Sequence, residues 1–311
     1  MKVKTRVNEP FKKRLSVDWR RNKEIYFLLI PVLAFYIVFK YFPMYGATIA
    51  FQDYVPTLGI SGSEWIGFEN FIDFFSSRKF LVILRNTLVI SVSSLIFCFP
   101  APIILALLMN ELRNKMFTRT VQTVTYLPHF ISLVVICGLI KNFTANTGFI
   151  SAIVGFFGGT PSTMLNNPKL FVPIYIISEI WQATGWGSII YLAALTGVDQ
   201  QLYEAAMIDG AGRWKQTMHV TIPCIMPTIV IMLILKIGNI LNVGYEKIIL
   251  LYNPLIYDTA DVISTYVYRE GLLNQNYGYS TAVGLFNSLI NFLLLVTANH
   301  ISKKYTDTSL F

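Results

Sequence analysis

The chain has 311 residues, of which 54% are hydrophobic and only 14% charged, with a mean hydropathy of +0.54. Soluble domains carry about 25% charged residues, so a pair of water-soluble domains of this total length is excluded. The net charge of +8 does not indicate nucleic acid, because the basic residues flank apolar runs instead of clustering on one solvated face.

A spanning helix needs about 20 mainly apolar residues. Six runs qualify in chain order, at 25–42, 80–109, 121–140, 170–195, 222–243 and 281–301. The second is long enough to tilt. The first follows a basic stretch as a signal peptide would, but it is long and no small-x-small cleavage pattern follows closely, so it reads as a retained span. With the N-terminus inside, 16 of the 25 Lys and Arg residues fall on the cytoplasmic side and six outside. That bias places both termini in the cytoplasm of a multi-pass plasma-membrane protein. The division is therefore 1–24 as a solvated basic tail, 25–80 as the first span and external loop, 81–301 as a five-helix core, and 302–311 as a cytoplasmic tail. Cys98, Cys137 and Cys224 lie in or beside apolar runs without metal or disulfide spacing, and read as small core hydrophobes.

One cytoplasmic loop, 199–223, stands out. Asp199 can cap a helix start. Leu202, Ala205, Ala206 and Ile208 then give a short amphipathic helix, which Gly210 or Gly212 ends. Residues 213–219 can form a second short helix before Pro223 opens the next span. The small Ala205 and Ala206 leave room for another surface, although an interfacial connector would look the same.

Polar groups inside spans are costly and face the bundle interior or a water-filled path. The fourth run carries Glu179, Trp181, Gln182, Trp186 and Tyr191; the fifth carries Lys236, Asn239 and Asn242; the sixth carries Asn287, Asn291 and Asn299. Gln182 with Trp186, and Asn239 with Asn242, have spacings that share a helix face. Amides suit hydroxyl-rich sugars, and aromatic rings suit the apolar faces of sugar rings. The same amides also fit helix–helix glue, and the tryptophans fit interface anchors. Lys236 needs a partner, either Glu179 or an anionic substrate.

The order Glu204-Ala205-Ala206, then Asp209-Gly210, then Val220 to Ile222-Pro223, resembles the EAA motif of ABC importer permeases. Tyr45-Gly46, Ala50-Phe51-Gln52-Asp53-Tyr54, Asn86-Thr87-Leu88, Leu127-Pro128-His129-Phe130-Ile131-Ser132, Tyr252-Asn253-Pro254 and 262–269 extend the likeness to the carbohydrate branch. That branch comprises the type I, MalF/UgpA-like permeases, and within it the LplB type of Gram-positive bacteria. The resemblance implies an all-α membrane protein of six transmembrane helices with a MetI-like core, and span one wrapping a partner. It implies that 199–223 docks a coupling helix on a separate ATPase, with Glu204 pairing with Arg213 or a basic ATPase residue. It implies a second, homologous permease, two ATPase copies, and an external solute-binding lipoprotein docked on 43–79 and 244–280. It also places Gln182, Trp186, Lys236, Asn239 and Asn242 near the sugar path. No GxxxxGK[ST] phosphate loop is present, so ATP and Mg would be held by the partner, with no cofactor in this chain and no catalysis by it. A non-carbohydrate ABC permease and a stand-alone secondary transporter are the alternatives. Against the latter, no internal repeat is visible and Glu179 is the one clear carboxylate within a span. Against a membrane enzyme, His129, His219 and His300 are scattered.

Overall fold

The computed structural model describes residues 11–306 and 308–311, and helices dominate them. Residues 1–10 of the basic tail lie outside the described residues. From Phe11 the tail is not loose coil: a helix runs Phe11–Tyr36, interrupted at Asn22 (φ −122°, ψ 23°). Its apolar part continues to Phe51 as α1, Arg21–Phe51, and none of its most apolar stretch is buried against the rest of the chain. α2 (Glu69–Ser76) follows a two-residue antiparallel pairing of Gln52 with Trp65 and Asp53 with Glu64, a small departure from an all-helical expectation.

The core helices are α3 (Phe80–Asn110), α4 (Lys115–Phe130), α5 (Leu133–Phe143), α6 (Phe149–Phe156) and α7 (Pro168–Thr196). They continue with α8 (Gln200–Ile208), α9 (Arg213–Ile237), α10 (Tyr245–Leu251), α11 (Ile263–Tyr268) and α12 (Tyr277–Thr306). Among the described residues, α1, α3, α9 and α12 are long and apolar enough to cross a membrane, and α4 with α5 makes a fifth if the bent pair is one span. α7 has 29 residues, about 43 Å at 1.5 Å per residue, but its polar side chains lower its hydropathy.

Proline placement explains the wide turns in three long helices. A proline ring clashes with the carbonyl four residues earlier. The π-helical turns Ile37–Tyr41, Ser94–Cys98 and Thr217–Thr221 contain those carbonyls for Pro43, Pro102 and Pro223, and the extra residue relieves each clash.

Three buried clusters hold the bundle. Phe74, Ile83, Tyr266 and Val283 pack α2, α3, α11 and α12. Phe171, Tyr175, Ile248 and Leu251 join α7 to α10. Ala106, Tyr191, Leu195 and Ile225 join α3, α7 and α9 near the 199–212 loop. α4 and α7 touch at Gly185, where a Cβ would stand 2.0 Å from the Thr125 carbonyl oxygen. The 254–270 segment is tied down by Arg269, whose guanidinium pairs with Asp261. Burial pulls the Arg269 pKa down, but the hydrogen bonds and charge of Asp261 outweigh it, so the group titrates above its ordinary value. Asn86 adds bonds to the Asp258 and Asp261 carbonyls at 3.1 and 3.0 Å. The C-terminus folds back on α12, where Asn299 accepts from the Leu310 amide at 2.7 Å and donates to the Phe311 carbonyl at 3.1 Å. Cys137 is buried and Cys98 half-buried, but Cys224 is exposed, so the core reading fails for that cysteine.

Candidate substrate cavity and coupling loop

Two of the expected spans are broken. The run at 121–140 is not one straight helix: Pro128 brings a 3-10 turn, Ser132 caps a new start, and α5 leaves α4 at 98°. The run at 222–243 ends as a helix at Ile237, and 238–244 is turn and irregular backbone. Gly238 and Gly244 bracket that segment, which explains the loss of helix.

Irregular backbone at membrane depth is tolerated where it is buried in protein or lines a cavity, and its polar groups need partners. Here the partners are side chains of neighbouring helices. Ser91 donates to the Ile240 carbonyl, Asn291 accepts from the Leu241 amide at 3.1 Å, and Ser264 donates to the Val243 carbonyl at 3.2 Å.

A cavity of about 570 Å³ lies between the two breaks. His129 and Leu133 line it from the first break, and Asn239, Asn242 and Tyr245 from the second. Tyr175, Glu179 and Gln182 of α7, Ser91 and Ser94 of α3, and Lys236 complete its polar wall. Four of the five expected substrate-path residues, Gln182, Lys236, Asn239 and Asn242, are thus brought together.

Three details differ from expectation. Asn239 and Asn242 do not share a helix face; they meet across the turn, with the Asn242 amide nitrogen donating to Asn239 Oδ1 at 3.5 Å. Asn242 Oδ1 also accepts from Asn287 of α12 at 2.8 Å, so this amide serves helix packing as well. Trp186 does not line the cavity. It stacks on His129, with centroids 4.5 Å apart and planes within 2°, and Phe130 meets its edge. Finally, Glu179 is not the partner of Lys236. It accepts from Lys247 Nζ at 2.8 Å, and Gln182 Oε1 lies 3.4 Å from the same ammonium. The Lys247 side chain is only 4% exposed and lies 5.3 Å from the Tyr175 ring centre. Lys236 is exposed to the cavity and makes no ion pair among the described residues.

His129 and Lys247 are the residues that sequence reasoning missed. The Pro128 and Ser132 pair signals the first break. The two glycines around Asn239 and Asn242 signal the second, which brings Lys247 back into the bundle.

At the other end of α9, the loop has the expected form. Asp199 accepts from the Gln201 amide at 2.9 Å and starts α8. Gly210 ends it at φ +74°, with Gly210 N–H donating to the Met207 carbonyl and Ala211 N–H to the Ala206 carbonyl, a Schellman closure. No second short helix separates from the span: α9 is continuous from Arg213, and Pro223 sits inside it. Tyr203 and Thr221 hydroxyls share a 2.9 Å hydrogen bond that fastens α8 to α9. Arg213 pairs with Glu111 at 3.9 Å and not with Glu204, which makes no ion pair among the described residues. Glu204, Ala205, Asp209, Gly210 and Pro223 are exposed, Ala206 is half-buried, and Ile208 and Trp214 are 87% and 73% exposed.

Residues 98–307 match the family described as the binding-protein-dependent transport system inner membrane component. The chain belongs to that family. The matched region holds the cavity break at 238–244, the loop at 199–212 and the helix that joins them. Over its full length this permease is similar to LplB of Bacillus subtilis (strain 168), at 46% identity over 301 residues and 95% of each chain. It is also similar to the polygalacturonan/rhamnogalacturonan transport system permease protein YteP of the same organism, at 44% identity, covering 96% of this chain and 94% of the other. A permease-like chain in the crystal structure of a bacterial alginate ABC transporter, in complex with alginate pentasaccharide-bound periplasmic protein, superposes with a TM-score of 0.88 at 42% identity, covering 96% of this chain and all of that one. The permease is a multi-pass, helical membrane component with a MetI-like core.

Proposed function

We propose that this permease forms half of the membrane pathway of an ABC importer, and that its cargo is a sugar or oligosaccharide. The observation that carries this is the cavity at the two helix breaks, lined by amides, hydroxyls and aromatic rings and joined by α9 to an exposed loop. Its size falls in the range of about 300–1,000 Å³ typical of small-molecule sites. Hydroxyl-rich cargo suits such a wall, because each amide both donates and accepts. The names of the relatives, which carry polygalacturonan, rhamnogalacturonan or alginate, support carbohydrate as the class.

The remaining parts follow from that reading. Six spans, counting α1, α7 and the bent α4–α5 pair, put both termini and the 199–212 loop in the cytoplasm. Glu204, Ala205, Ala206, Asp209 and Gly210 then present α8 to an ATPase subunit, which supplies ATP and Mg chemistry. A second, homologous permease closes the cavity from its open side, and α1 lies against lipid and that partner. The segments 43–79 and 244–280 face an extracytoplasmic binding lipoprotein.

Affinity purification of the tagged chain from native membranes in mild detergent tests this. A second permease and an ATPase co-purify, and the ATPase is lost in Glu204→Lys while the second permease remains. Recovery of the chain alone, under conditions that preserve other ABC complexes, refutes the importer reading.

A further inference from the structure

We infer that Lys236 is the specificity-determining residue of the cavity, reading a carboxylate on the passing saccharide, so that the cargo is uronate-bearing. The inference rests on the carbohydrate-permease reading above and goes to the chemistry of the site.

The two lysines at the cavity have different surroundings. Lys247 is buried, and its charge is matched by Glu179 at 2.8 Å, with Gln182 and the Tyr175 ring as further partners. Nothing is left on that ammonium for cargo. Lys236 is the opposite case. It faces the open cavity, no carboxylate of the described residues pairs with it, and Glu179, the one acidic group on α7, is already engaged. Glu246 also lines the cavity, but it makes no ion pair with Lys236 and stands in the first turn of α10, where a carboxylate favours the helix start.

Glu179, Glu246, Lys236 and Lys247 sum to no net charge. Discrimination is therefore local, set by where the Lys236 ammonium stands and not by an overall field. Asn239 follows Lys236 by three residues, its backbone N–H donating to the Lys236 carbonyl at 3.2 Å, so ammonium and amide emerge from the same turn. A uronate ring offers a carboxylate beside ring hydroxyls, which matches an ammonium beside an amide. An ionisable residue in an apolar run that faces a water path and lacks an internal partner marks the route of a charged solute.

The test uses the complete importer with its own binding protein, reconstituted in liposomes. It is presented with a mixture of plant-cell-wall oligosaccharides, neutral and uronate-bearing, and the internalised species are identified by mass spectrometry. The wild type enriches uronate-bearing species. Lys236→Gln lowers the ratio of uronate-bearing to neutral species internalised about tenfold, and Lys236→Arg restores that ratio. Equal loss of both classes, no loss, or wild-type uptake of neutral species alone overturns the inference and leaves the carbohydrate reading standing. An assembled, ATP-hydrolysing complex that internalises no saccharide refutes the carbohydrate reading itself, and the inference with it.

Discussion

Removing Glu179 should strand the Lys247 ammonium. The pair is 2.8 Å long and the lysine side chain is 4% exposed, so the charge has little water to fall back on. Breaking a buried pair by removing one partner costs about 3–5 kcal/mol. In Glu179→Leu, Gln182 Oε1 at 3.4 Å and the Tyr175 ring at 5.3 Å remain, and a desolvated ring contact alone is worth up to about 2 kcal/mol. The net loss is therefore about 2–3 kcal/mol, below the full penalty. For a chain of 311 residues that corresponds to a fall in Tm of roughly 3–5 °C. Lys247→Met should cost less, because the freed carboxylate is 31% exposed and keeps contact with cavity water. The double variant replaces the pair by apolar side chains and should lie within about 1 kcal/mol of wild type. Thermal unfolding of the fluorescently tagged chain in one detergent, across the four members of the cycle, measures this directly. A double variant whose loss equals the sum of the two single losses would refute the pairing, and an unchanged Glu179→Leu would refute the burial argument.

Three further outcomes follow from named contacts. Gly185→Ala places a Cβ 2.0 Å from the Thr125 carbonyl, which forces α4 and α7 apart at about 1–3 kcal/mol or more, so the purified yield and unfolding temperature fall. Asn291→Leu removes the acceptor of the buried Leu241 amide, an unmet donor that costs about 1–3 kcal/mol; unfolding temperature falls and uptake falls with it. Gly210→Asp meets nothing within 4 Å and carries only the penalty of φ +74°, about 1–2 kcal/mol for a residue with a side chain, so it inserts and folds. It is nevertheless expected to abolish uptake, because on the importer reading the surface it alters is the one offered to the ATPase; normal uptake in that variant removes Gly210 from the coupling role.

The apolar runs made the number and order of long helices legible, because a span is written as composition over about 20 residues. The loop was legible for a different reason: its caps, Asp199 and Gly210, are local features whose hydrogen bonds lie within a few residues. The breaks were harder to read. Nothing in the run at 222–243 separates helix from irregular backbone by hydropathy, and the partners that make the break tolerable, Ser91, Ser264 and Asn291, come from three other helices. The pairing of Glu179 was misread for the same cause. Lys236 lies closer to the fourth run by a simple count along spans, but the break turns α10 back into the bundle and delivers Lys247 instead. Trp186 stands beside the cavity and not in its wall, since its ring is taken by His129 from the first break.

Cavity and loop are ends of one object. α9 runs unbroken from Arg213, next to the exposed loop, to Ile237, next to the irregular segment, and its 25 residues span about 37 Å. Lys236 is in its last turn and Asn239 just beyond it. The loop is fastened to the near end by Tyr203 on Thr221 and Gln216 on the Ala211 carbonyl, at 2.9 and 2.7 Å. A displacement of α8 by a partner would be carried along this helix, through the wide turn at Thr217–Thr221 and past Pro227. At the far end the chain meets Gly238 and the irregular segment, which the side chains of Ser91, Asn291 and Ser264 tie to three other helices. On the importer reading, a push at the loop would move Asn239 and Asn242 relative to Gln182 of α7 and so change the grip on cargo. Inserting one alanine into the middle of α9 would rotate Lys236 about 100° away from the cavity while leaving the loop intact, so ATPase assembly should survive and uptake should not; retained uptake would show that the two ends are not coupled through this helix.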